Sequence, residues 1–210
     1  LHWKTKEGLV RMCACRGTAG FAHVSCLAEQ AKILRQEAED NNLDAKARTT
    51  AFRRWDTCSL CEQDYHGVVR CALGWACWKT YVGRPETDDL LGCAMSLLGI
   101  GLFNAEKYAD ALSVTEANLA KMRRLGESEE NILRVLGNLA GTYEATERLE
   151  EALRMREEIY SGHVRLFGEE HIETCLVAEN YALSNNESGA LRGSQVCAEQ
   201  SNTLDAACSW

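Results

Sequence analysis

Proline occurs once in the 210 residues, so almost nothing in this chain interrupts a helix from within. A long apolar run is missing as well. The most hydrophobic stretch, GVVRCALGWACWKTYVG, is cut by Arg70 and Lys79, and no segment reaches the length of a membrane span. No signal peptide is visible. No Gly-rich phosphate loop, Ser/His/Asp order or paired acid–base carboxylate set stands out, so no catalytic residue is named. Cysteine is absent from residues 1–12, although eleven cysteines follow. With 46% hydrophobic residues, what remains is an ordered, mainly helical chain, long enough for one large or two small domains.

The cysteines that are present fall into ligand-like pairs. Cys13-x-Cys15 is followed after seven residues by His23-x-x-Cys26, and then by Cys58-x-x-Cys61. Pairs this close let one turn of backbone fill two corners of a zinc tetrahedron, and thiolate and imidazole are zinc's usual ligands. Cys71, Cys77, Cys93, Cys175, Cys197 and Cys208 lack such spacing, and most of them are expected as small buried hydrophobes. An odd count, paired as metal ligands, argues against a secreted disulfide framework and for a reducing compartment, taken as the cytoplasm.

The C-x-C, H-x-x-C, C-x-x-C order resembles the last six ligands of the RING-CH (RING-variant) zinc finger. That family binds two zincs in a cross-brace, the first and third ligand pairs sharing one ion and the second and fourth the other. The resemblance implies that Cys13, Cys15, Cys58 and Cys61 form one complete site, and that His23 and Cys26 supply half of a second. The other half is expected as a C-x-x-C pair before Cys13. Its absence reads as a finger cut just inside its first pair, with His2 as a single substitute ligand to consider. Such fingers dock a ubiquitin-loaded conjugating enzyme and act by positioning, without covalent chemistry of their own. On this reading the region around Trp55 is a candidate contact for that enzyme, with Trp55 itself either an exposed contact or a packing residue of the finger. One departure counts against activity: Glu62 stands after the last ligand, where active ligases commonly carry a basic residue.

The second half repeats itself. Gly83, Gly126 and Gly168 occupy matching turns, 43 and 42 residues apart, and EKYADAL (106–112) aligns with ERLEEAL (147–153). Each unit predicts two amphipathic helices, with Gly99, Ala111, Ala140 and Ala152 where they cross and each turn glycine as a left-handed C-cap. The pattern resembles tetratricopeptide repeats of the kinesin light chain type, whose groove implies a protein or peptide partner. Upstream, residues 27–39 predict a helix with Leu27, Ala31 and Leu34 on one face, an insertion that accounts for the long gap between Cys26 and Cys58. Residues 66–84 predict a linking helix that caps the repeats, with Trp75 and Trp78 as core at the junction.

The expected fold is therefore mainly α: a small zinc-stabilised cross-brace finger (1–65), a linking and capping helix (66–84), a helical-hairpin, TPR-like solenoid (85–191) and a frayed or disordered tail (192–210). Residues 1–83 carry 12 basic and 9 acidic side chains, whereas residues 84–210 carry 11 and 22. That asymmetry fits two modules, and neither half has the charge expected of a nucleic-acid binder. The function expected is a ubiquitin ligase whose repeats recruit a protein. The competing expectation is a non-enzymatic scaffold with a structural zinc finger.

Overall fold

The computed structural model describes residues 6–186. The expectations for His2 and for the tail over 192–210 lie outside them, as does the end of the third repeat. Compact packing divides the chain into one unit ending at Gly126 and another beginning at Glu127.

The first unit opens with an extended segment held by one isolated antiparallel bridge, Val10 to Ala22. Helix α1 (Val24–Asp40) begins two residues before Cys26, earlier than the sequence suggests. The reason lies outside the helix: the Glu7 carboxylate accepts the Val24 N–H at 2.7 Å and the Ser25 N–H at 3.2 Å, supplying the acceptor that His23 at the N-cap does not. The most buried face of α1 is Ala31, Arg35 and Ala38. A second inserted helix, α2 (Ala45–Phe52), is capped by Asp44, whose carboxylate accepts the Ala47 N–H at 2.8 Å. A 3-10 turn, Arg53–Trp55, follows.

Helix α3 (Gly67–Tyr81) lies within the 66–84 stretch and contributes to three apolar clusters of this unit. Helices α4 (Asp89–Asn104) and α5 (Tyr108–Leu125) make the first hairpin. The α3–α4 crossing is closed to backbone contact. A Cβ at Gly74 would lie 3.0 Å from the Leu97 carbonyl oxygen, and one at Gly101 would lie 2.9 Å from the Cys71 Cα. Trp78 packs on the cluster of Cys71, Leu98, Leu102 and Ala111, but Trp75 remains 37% exposed, so only one of this pair is core.

The second unit contains α6 (Glu129–Ala145), α7 (Leu149–Phe167) and helical residues 172–186, here α8. Its hairpin reproduces the first one closely. The residues that turn the chain between paired helices, Glu106 and Glu147, both take left-handed backbone, at φ 59° and 60°. Ala111, Ala140 and Ala152 are fully buried, and a Cβ at Gly99 would lie 2.7 Å from the Thr115 hydroxyl, as expected where helices cross closely. The C-caps are less regular than the sequence suggests. Gly126 is left-handed, at φ 68° and ψ 35°. Gly168 has positive φ but an extended ψ of 165°. Gly83 is not left-handed: α3 ends at Val82 in helical backbone, and the Arg84 N–H closes the turn on the Tyr81 carbonyl at 3.0 Å.

Candidate metal centre

Two short loops, whose nearest cysteines Cys15 and Cys58 are 43 residues apart in sequence, bring the thiols together. The first is the irregular stretch after Val10 that carries Cys13 and Cys15. Its chain reversal depends on Gly20, which has φ +77°. A Cβ there would lie 2.6 Å from the Cys15 Cβ, 3.0 Å from the Cys15 Sγ and 3.2 Å from the Cys13 Sγ. Only glycine satisfies both the backbone angle and the space.

The second loop is a knuckle over 57–64. The Cys58 N–H donates to the Gln63 carbonyl at 2.9 Å, and the Glu62 N–H returns to the Cys58 carbonyl at 3.0 Å. A bridge from Thr57 to Asp64 closes it. The Leu60 N–H points at the Cys58 Sγ, 3.5 Å away. Glu62, the residue after the last thiol, adopts φ 56° to complete the turn, a conformation that costs a side-chain-bearing residue about 1 kcal/mol.

The thiols of Cys13, Cys15, Cys58 and Cys61 all lie within 4.8 Å of one another. Cys15 and Cys58 approach to 3.7 Å between sulfurs, close to the edge of about 3.8 Å that a tetrahedron with bonds near 2.3 Å requires, and far beyond a disulfide bond of about 2.05 Å. Cys58 is buried and the other three are half-buried. Burial pushes the Cys13 thiol up, and pushes that of Cys15 up to about 12. At Cys58 burial acts in the same direction, but the N–H groups of Cys61 and Leu60, with the neighbouring thiols, outweigh it and bring the group down to about 7. N–H groups aimed at a sulfur stabilise its thiolate, the form that binds metal.

His23 and Cys26 sit at the start of α1, with the His23 Nδ1 3.7 Å from the Cys26 Sγ. They are neighbours, but no third ligand joins them: the four-thiol cluster is the only group of three or more potential ligands among the described residues.

Of the two roles open to Trp55, the structure has it packing. It is 2% exposed and packs with Ala31, Cys77, Tyr81 and Ala94, its ring edge-on to Tyr81 at 6.3 Å. The 3-10 turn directs it inward onto α1 and α3, so it offers no surface to an enzyme. Sequence reading missed Tyr65, and gave Val69 and Leu73 only as apolar residues of the linking helix; with Cys58 the three form the buried floor beneath the thiols. Burial first, then Cys58, pushes the Tyr65 phenol up. The only hint of this floor was the position of Tyr65 four residues after Cys61.

No protein-family model matches the chain, and no curated protein does. Solved structures do. BtubC (BKLC) from P. vanneervenii superposes with a TM-score of 0.54 at 17% identity, covering 82% of this chain and 68% of that one. A Podosopora anserina protein with nearly identical TPR-like repeats of the kinesin light chain type gives 0.51 at 16% identity, covering 90% of this chain and 79% of that one. The fold is therefore a TPR-like array of helical hairpins carrying a four-cysteine cluster near its N-terminal end. No helix among the described residues is long and apolar enough to cross a membrane.

Proposed function

We propose that this chain is a zinc-stabilised protein-interaction module, in which a RING-CH-like finger is fused to helical repeats that bind a protein partner. The observation that carries it is the meeting of two cysteine pairs from distant loops within 4.8 Å. Four sulfurs at near-tetrahedral spacing fit zinc better than the harder cations that prefer oxygen. All four corners would be filled by the protein, so the ion would be structural, with no open position for a substrate. The repeats supply the binding surface. The acidic balance of residues 84–210, 22 acidic against 11 basic side chains, favours a basic partner segment. Because zinc needs these cysteines as free thiolates, this reading favours a reducing compartment such as the cytoplasm.

The order of the ligand pairs favours a second reading, a ubiquitin ligase that docks a conjugating enzyme while its repeats recruit the substrate. It draws on the cross-brace pairing of Cys13 and Cys15 with Cys58 and Cys61. The burial of Trp55 and the presence of Glu62 after the last thiol weigh against activity in this chain. An auto-ubiquitination assay with a range of conjugating enzymes separates the two. Ubiquitin chains that vanish in Cys58→Ser support the ligase, whereas a zinc-loaded but inactive protein supports the interaction module alone.

A further inference from the structure

The finger has little core of its own. Before α1 its apolar residues, Val10, Met12, Cys13 and Cys15, are only partly buried, and they pack on a cluster of Cys58, Tyr65, Val69 and Leu73, the last two from α3. Both are essentially inaccessible, at 1% and 0% exposure. The His66 N–H donates to the Met12 carbonyl at 3.0 Å, tying the first thiol loop to the start of α3. From its other faces, α3 places Cys77 and Tyr81 against Ala94 and Leu97, and Cys71 against Leu98, Leu102 and Ala111. Those five partners belong to α4 and α5, the first repeat hairpin.

We infer that metal occupancy of the four-thiol site controls the order of the first repeat hairpin, with α3 as the shared wall between them. The inference rests on the zinc reading above. Its physical basis is that α3 cannot accommodate a loosened finger by sliding. At Gly74 and Gly101 it already meets α4 at backbone contact, leaving no room for even a methyl group. A close-packed crossing of this kind is held in place or lost, and does not deform gradually. With the thiols unliganded, the loops over Val69 and Leu73 lose the bonds that close them, and the wall on which α4 is seated becomes exposed to water. The repeat surface would then be available to a partner only when the finger is loaded.

Hydrogen exchange of the full chain tests this, comparing zinc-loaded protein with protein stripped by EDTA. Amides of α3 and α4 should lose protection by about tenfold or more on stripping, while α6 and α7 serve as the internal reference. Stripping that frees only residues 10–66, with α4 unchanged, overturns the inference and leaves the zinc reading intact. Failure of the loaded sample to hold zinc overturns both. Reciprocity supplies a second measurement, because a metal that stabilises the α3–α4 crossing must bind less tightly when that crossing is disturbed. Gly101→Ala touches no thiol, yet zinc affinity against a chromophoric chelator should fall by about fivefold or more. Gly137→Ala, whose Cβ has open space, should leave it unchanged. Equal affinities in both variants would overturn the coupling.

Discussion

The unit that ends at Gly126 and the unit that begins at Glu127 acquire fixed shapes by different means. In the second, the α6–α7 hairpin buries Leu133, Leu136, Leu139 and Ile159, each 3% exposed or less. Arg156 grips both oxygens of Glu144 at 3.0 and 2.8 Å, and the Ser184 hydroxyl donates to the same carboxylate at 2.6 Å. Packing and local polar contacts suffice there. In the first, the loops around Cys13 and Cys58 carry one isolated bridge each, and the apolar side chains of the Cys13 loop are only half-buried. A metal fits that part of the fold because chain entropy there is offset by few contacts of other kinds.

Breaking the metal site should therefore affect only one side of this comparison. Cys58→Ser should abolish zinc-dependent stabilisation, on the order of 10 kcal/mol for a structural site. Thermal unfolding with and without EDTA would show two transitions in the wild type, of which only one responds to the chelator. In the variant neither should respond. Gly20→Ala leaves every ligand in place but demands a left-handed alanine whose Cβ crowds Cys15. A loss of about 2 kcal/mol in zinc affinity is expected, measurable by competition titration, with unfolding of α6–α7 unaltered.

The second unit can be probed by pH. Burial pushes the Glu144 carboxyl up, but Arg156 and Ser184 hold it below its usual value of 4.5. A carboxyl depressed in the folded state contributes stability above its unfolded pKa and loses it as pH falls through the folded value. Glu144→Gln should cost about 1–2 kcal/mol at neutral pH. It should also remove part of the stability lost by the wild type on acidification below about pH 4.5, as read by urea unfolding. The smallest effect returns to the finger. Glu62→Gly relieves left-handed backbone at φ 56° and should stabilise the zinc-loaded protein by up to about 1 kcal/mol, visible as a higher melting temperature.

How far the sequence could be read also differed between the two regions. The repeats were legible because each position recurs. Ala111 and Ala152, or Glu106 and Glu147, stand 41 residues apart and do the same work in each hairpin. The four thiols were legible because ligands pair within a few residues, although nothing local says that Cys15 meets Cys58. Trp55 stayed open between contact and packing because nearness to a ligand in sequence does not say on which side of a turn a ring will lie. Gly20 and Tyr65 went unnoticed because neither is a ligand; one provides space and the other a floor, and both depend on the loop geometry. Arg35 lies on the buried face of α1 against the ordinary pattern, paired with Glu39 at 3.1 Å, which no apolar periodicity could signal. Gly83 matched its relatives in spacing yet not in conformation, because the backbone closes α3 through Arg84 instead.

Elemental analysis of zinc in the purified chain is the most direct measurement, made on the wild type, Cys13→Ser and Cys58→Ser in parallel. Zinc bound to the wild type and missing from the four-thiol site in both variants, one from each loop, is the predicted result. A wild type without zinc, or variants that retain as much as the wild type, would contradict a site built from two distant loops.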